Sequence, residues 1–166
     1  ADRGETVVRQ LSARVEAVVA RAAAITYPPR VALLEWLDPP FSSGHWSPEL
    51  VRLAGGIEGL GAEGKKSRRL SWDEVMAWEA EVVMIACCGF SVERTIEDVR
   101  QLVRVPGWLE LPAVREGRAF VVDGSAYFSR PGPRLVDSLE LMAYAISPEL
   151  QPLPDHLTPP FWLPPP

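Results

Sequence analysis

Histidine and cysteine are scarce in this chain, two of each in 166 residues. The cysteines, Cys87 and Cys88, are adjacent and cannot form an ordinary structural disulfide, so the redox compartment stays undecided. His156 lies among prolines, which leaves His45 alone. No spaced ligand cluster accompanies it to build a metal centre, and no Gly-x-Ser-x-Gly turn marks a serine hydrolase. Positive charge is also in deficit. A formal charge of -5 argues against a nucleic-acid partner, and the one basic run, Lys65-Lys66-Ser67-Arg68-Arg69, reads as a solvated loop. No apolar run approaches the roughly 20 residues needed to span a bilayer. Ala1-Asp2-Arg3-Gly4-Glu5 has no signal-peptide character, although a mature form or a fragment would open the same way.

What is present is organised around Arg30 to Gly56. Val31–Leu37 reads as a strand buried on both faces apart from Glu35, as in a parallel sheet covered on both sides. Asp38-Pro39-Pro40 stiffens the following loop and Ser42-Ser43-Gly44 lets it turn, which presents Phe41, His45 and Trp46. Ser47-Pro48-Glu49 predicts a helix start with Ser47 as cap, and Gly55-Gly56 closes that helix.

Upstream, Val7, Val8, Leu11, Val15, Val18, Val19 and Ala22 recur at helical spacing over residues 5–25, a helix about 30 Å long. From the residues alone it is either a strut to a preceding domain or the first helix of the layer. Downstream, Gly59-Leu60-Gly61-Ala62-Glu63-Gly64 spells a dinucleotide fingerprint, and Gly59 to Lys65 nearly a P-loop. Both fail on context: each must leave a strand and open a helix, and Lys66 stands where a P-loop needs Ser or Thr. Ser71 with Glu74 forms a predicted capping box, and that helix runs to Trp78. A second buried strand, Val82–Ala86, delivers Cys87-Cys88-Gly89-Phe90; Ser91 caps a helix to Val103. Residues 108–114 read as a short helical or irregular turn. A third strand, Ala119–Val122, leads to a loop with Tyr127, Phe128 and Arg130, and a helix spans Arg134–Ile146. After Ser147 the density of proline excludes helix and sheet interior, leaving an extended, polyproline-like tail. Phe161 and Trp162 leave two outcomes open, a strip along an apolar groove or disorder.

The expected fold is therefore α/β, a three-layer sandwich with a mainly parallel sheet, preceded by a long helix. Residues 1–26 carry the helix, 27–147 the α/β lobe and 148–166 the tail. Each of the three strands ends in a loop with aromatics, the signature of one binding edge. Cys87 reads as a small apolar strand end, and Cys88 as the same or as a nucleophile at a helix start. Acidic pairs such as Asp73/Glu74 and Glu79/Glu81 read as caps and solvated faces. Catalytic residues are not expected. Phe41, Trp46, Phe90, Tyr127 and Phe128 together favour a small-molecule pocket, with Trp46 as the side chain best suited to stack on a flat, conjugated ligand.

At these residues the chain resembles a known family. PPFSSGHW followed by ELVRLAGG, SWDEV…EVVMIACCGF and VVDGSAYFSRPGPRLVDSLELMA are similar to the carboxyl-terminal lobe of periplasmic-type binding proteins of the cobalamin and iron-siderophore class. The resemblance covers Glu5 to Pro148 and leaves the tail unmatched. It implies two lobes joined by one helix, here residues 5–25, with ligand held between them. It also implies that this chain carries one lobe and half a site. Phe41, Ser43, Trp46, Cys88, Gly89, Phe90, Tyr127, Phe128 and Arg130 then face the cleft, with His45 beside the ligand's edge and cobalt ligation by His45 a sharper, subordinate idea. Glu58 falls, with one residue of offset, where the family docks on its permease. The implied function is capture of cobalamin or a related corrinoid for an ABC importer, outside the cytoplasmic membrane. A ferric siderophore or haem is the alternative ligand. A thiol enzyme using Cys88, and an assembly module dimerising through the long helix, are the rivals from other classes. No resident cofactor is expected.

Overall fold

A computed structural model describes residues 3–165. Three central strands, β1 (Arg30–Leu37), β4 (Val82–Ile85) and β5 (Ala119–Val121), run parallel, with Val31 opposite Val82 and Ile85 opposite Val121. These are the three strands predicted from the apolar runs. Three short strands extend the sheet to six: β2 (Pro40–Ser42), β3 (Ile57–Glu58) and β6 (Phe161–Trp162). β2 folds back antiparallel on the end of β1 across Asp38-Pro39, whose peptide bond is cis, while β3 lies parallel to the start of β1. The order across the sheet is β2-β1-β4-β5-β6, with β3 also on β1. A proline can open an edge strand because its missing N–H faces no partner there, so the segment expected as a loop is a strand at Pro40.

Among the described residues seven α-helices cover the sheet: α1 (Arg3–Ala22), α2 (Ser47–Leu53), α3 (Trp72–Ala77), α4 (Val92–Val99), α5 (Pro112–Arg115), α6 (Gly124–Tyr127) and α7 (Leu135–Ile146). Alternate side chains of the central strands feed two separate cores, as the two-residue period of a strand requires. Ala32, Leu34, Val83, Ile85 and Val121 join Val75, Val99 and Trp108 on one face. Val31, Leu33, Met84 and Phe120 join Val18, Val51, Leu139 and Met142 on the other. The three-layer α/β class is thus the observed one.

Local signals explain most helix starts. Ser71 and Glu74 make a reciprocal capping box, and the Ser91 side chain accepts the Arg94 N–H. At α2 the cap is displaced by one residue. Trp46 takes that position without a side-chain hydrogen bond, and Ser47 lies buried in the first turn.

α1 docks along α7 by its second half. Val18 is buried, whereas Val7 and Val8 are 47% and 61% exposed. Arg14 anchors the contact, donating to Glu140 at 2.6 and 3.0 Å and to Asp137. The tail packs rather than hanging free. Gln151 is buried, donating to the Val18 carbonyl at 2.9 Å and accepting from Arg21 at 2.8 Å. The chain then crosses to β5, where β6 pairs antiparallel, Trp162 lies opposite Phe120 and Leu163 N–H donates to the Ala119 carbonyl. Among the described residues the tail is therefore a packed strap with a sheet strand. Of the two outcomes left open for the tail, packing through Phe161 and Trp162 is the one observed, and its prolines allow it because edge pairing requires so few free N–H groups.

Candidate functional site

Because β1, β4 and β5 are parallel, their carboxyl ends share one edge, and backbone bonds join the loops that follow. Cys88 N–H donates to the Glu35 carbonyl at 3.1 Å, and Ser125 N–H to the Phe90 carbonyl at 3.2 Å. Gly89 N–H donates to Ser129 Oγ at 2.9 Å, and that hydroxyl donates to the Gly124 carbonyl at 2.7 Å. The loops approach so closely that a Cβ at Gly124 would lie 2.1 Å from the Cys87 carbonyl oxygen. The edge is one braced rim.

A groove of about 360 Å³ opens on it, lined by Glu35, Trp36, Pro39, Phe41, Ser67 and Cys88. Its hydrophobic wall is built from β1 and β2. Trp36 donates its indole N–H to the Asp38 carbonyl at 3.1 Å and packs on Phe90 with ring centroids 4.8 Å apart. The Arg94 guanidinium stands 4.5 Å above the Phe90 ring, a cation–π contact that further restrains it. The polar corner is Glu35. Its carboxylate accepts the Gly44 N–H at 3.0 Å, and burial raises its pKa above the ordinary value of 4.5 despite that bond and the Ser67 hydroxyl.

The segment expected as a solvated basic loop forms the far wall. The Ser42 N–H donates to the Arg68 carbonyl, and Leu70 N–H to that of Pro40. Phe41 bridges to Arg69. Gly44 passes so near that a Cβ would sit 2.2 Å from the Ser67 nitrogen. Ser67 and Pro39 thus reach the groove only through this tertiary contact, while Glu35 had a signal, an isolated charge in an apolar strand. Trp36 had none, being indistinguishable in sequence from a core residue.

The expected site residues divide. Phe41 and Cys88 line the groove, and Gly89, with φ of 76°, and Phe90 brace it. His45 and Arg130 are exposed on the same edge; His45 adopts φ of 57° and is held by Lys65 and Gly64 backbone bonds. Trp46 and Tyr127 pack partly buried against the core on the α7 side of the sheet, across from Phe90. Tyr127 lines a separate cavity of about 210 Å³ with Asp123 and the Thr158-Pro159-Pro160 strap. Four residues need correction: Trp46 and Tyr127 do not line the groove, and two others are buried. Phe128 is 3% exposed within that core, and Ser43 is fully buried, its hydroxyl spent on Glu58 at 2.9 Å. Neither can touch a cleft ligand in this conformation.

Glu58 is half-buried, with its other oxygen accepting the Leu60 and Gly61 N–H groups at 2.7 and 3.1 Å. Burial raises its pKa. It lines a cavity of about 350 Å³ with Arg52 and Glu63, away from the aromatic groove.

Burial pushes the Cys87 thiol up to about 12, whereas Cys88 is exposed at the rim and only partial desolvation, with the Glu35 charge, raises its thiol. A nucleophilic thiolate is disfavoured at both positions. Asp137, Glu140 and His156 place ligand atoms within 4.8 Å of one another, but the Arg14 guanidinium already supplies the cation between the two carboxylates. The Trp46 indole N–H is buried with no partner, a state that costs about 1–3 kcal/mol.

No curated protein matches the sequence. Solved structures do. The heme-binding protein RhuT of Roseiflexus sp. RS-1 is 26% identical with a TM-score of 0.69, over 90% of this chain and 57% of that one. A periplasmic heme-binding protein of Pseudomonas aeruginosa is 23% identical with a TM-score of 0.74, over 98% and 59%. A structure described as an ABC-type Fe3+-hydroxamate transport system, from Saccharomonospora viridis, is 20% identical with a TM-score of 0.69, over 88% and 50%. The chain thus spans about half the length of such proteins and superimposes as a single lobe. The family described as periplasmic binding protein matches residues 1–126, three-quarters of the sequence. On that match, and on a fold that agrees with it, this chain belongs to the periplasmic binding protein family.

Proposed function

We propose that this chain is the carboxyl-terminal lobe of the substrate-binding component of an ABC importer, working outside the cytoplasmic membrane, and that it captures cobalamin or a related corrinoid. The observation carrying this reading is the groove of about 360 Å³ walled by Trp36, Pro39 and Phe41 on the braced carboxyl edge. Flat apolar walls with few polar groups suit a conjugated macrocycle. One lobe supplies one wall, so affinity depends on a second lobe closing over the ligand and desolvating it. No helix of the described residues is long and apolar enough to cross a membrane, consistent with a carrier that hands its cargo to separate permease subunits. Glu58 is the proposed docking carboxylate; it lines a cavity with Arg52 and Glu63 and would exchange its bonds from Ser43, Leu60 and Gly61 for a partner's cation. The proposed homodimer would form through the exposed Val7 and Val8 of α1.

A ferric siderophore or haem is the second reading, favoured by the names of the similar proteins from Roseiflexus, Pseudomonas and Saccharomonospora. Tryptophan emission separates the two. Cyanocobalamin, haemin and a ferric hydroxamate are titrated against the chain and against Phe41→Ala, whose loss of quenching removes inner-filter artefacts. Saturable, Phe41-dependent quenching by cyanocobalamin supports the corrinoid. Quenching by haemin or the hydroxamate alone reassigns the ligand, and none by any of the three up to high micromolar, once a second lobe is joined to the chain, removes the binding role.

A further inference from the structure

Six residues line the aromatic groove, and a single one of them brings a charge to it. Trp36, Pro39 and Phe41 are apolar, Ser67 is neutral, and partial desolvation beside Glu35 keeps the Cys88 thiol protonated. The charge is the Glu35 carboxylate. The Gly44 N–H donates to it at 3.0 Å, and the hydroxyls of Ser67 and Ser47 also reach it. A carboxylate offers about four acceptor sites, so these three donors leave room for one more from the groove side. No cation answers the charge. Among the described residues no Lys, Arg or His forms an ion pair with Glu35, and His45 acts on it only through space. The arginines around the rim are engaged elsewhere, Arg68 with Glu74 and Arg94 with Asp98, both at 2.8 Å.

A macrocycle lying on the apolar wall therefore brings its rim to an oxygen that accepts hydrogen bonds. A rim N–H satisfies that oxygen. A rim carboxylate meets a like charge in a partly desolvated corner, where the repulsion is little screened. We propose that Glu35 is the specificity-determining residue of the groove, admitting macrocycles whose rim carries amide N–H donors, as a corrinoid's does, and rejecting those rimmed by carboxylates, as haem is. The inference rests on the importer reading for the presence of a macrocycle and adds which rim chemistry is taken. Trp36 and Phe41 cannot make that choice, because a stacking wall senses the ring and not its substituents.

Matched probes test it, each pair sharing ring and metal and differing only at the rim: dicyanocobyrinic acid against its full amide, and haemin against its bis-amide. Tryptophan quenching is read at pH 8, above the ordinary carboxylate range, with the chain as it is and again with a second lobe joined to it. In whichever pair binds, the amide is expected to bind at least tenfold more tightly than the acid; a smaller ratio overturns the proposal. Glu35→Gln, which keeps an oxygen for Gly44, is expected to bring the ratio below threefold by admitting the acid. Should that variant not fold, Cys88→Lys, at an exposed position on the same groove, sets a cation beside Glu35 and is expected to do the same. A preference that survives in the folded variant assigns the choice to other residues and overturns the proposal. Binding without rim preference thus removes the role of Glu35 and leaves the importer reading standing, whereas no binding by any probe, even with the second lobe, removes both.

Discussion

The Glu35 carboxylate accepts the Gly44 N–H at 3.0 Å, joining the end of β1 to the loop that folds the basic segment over the groove. Both partners are needed in kind. A carboxylate or amide oxygen must reach that N–H, and any Cβ at position 44 would collide with the backbone at Ser67.

A pH dependence follows from the burial of Glu35. Its folded pKa lies above the ordinary 4.5, so between 4.5 and that raised value the native state holds a proton that the unfolded chain has released, and above it the carboxylate is charged. Its contribution to stability is complete below 4.5 and is lost as pH rises through the raised folded value. Urea unfolding between pH 4 and 7.5 should show this decline, and Glu35→Gln should flatten it while keeping an oxygen for Gly44. An unchanged slope would show that Glu35 titrates normally.

Arg14 holds α1 to α7. Arg14→Ala strands Glu140, which is 8% exposed, beside Asp137, with only the exposed His156 imidazole, 3.4 Å from Asp137, left beside the pair. Loss of about 3 kcal/mol is expected, the low end of the range for breaking a buried pair because Arg14 itself is partly solvated. Adding Glu140→Gln should restore part of it. The urea midpoint of both variants gives the measurement, and a loss under about 1 kcal/mol would place the pair among surface bridges.

Cys88 should be a slow thiol. Partial desolvation and the Glu35 charge hold its pKa up, so at pH 7 its reaction with a disulfide reagent is expected to lag behind that of free cysteine, with Cys87 silent until unfolding. A rate above that of free cysteine would revive the thiol-enzyme reading.

The strap should protect the sheet. Ending the chain after Leu157 removes β6, including the Trp162 ring 4.8 Å from Phe120, and bares the edge of β5. Concentration-dependent association in sedimentation is expected, because an uncovered edge invites pairing with another chain. A variant that stays monomeric at millimolar concentration would show that the edge needs no cover. Trp162→Ala alone should cost about 0.5–1.5 kcal/mol through the lost aromatic contact.

The amino-acid sequence by itself determined the parallel strands, the capped helices α3 and α4, and the clustering of aromatics after each strand. All of these depend on period, caps and turn residues within a few positions of one another, so they need no knowledge of distant neighbours. Only the tertiary structure decided that Ser67 and Pro39 face Phe41 and that Phe128 and Ser43 turn inward. It also decided that a proline-rich end becomes a strand. These outcomes depend on which surfaces meet across tens of residues, and a side chain such as Trp36 has the same local pattern whether it ends in a core or in the wall of a groove.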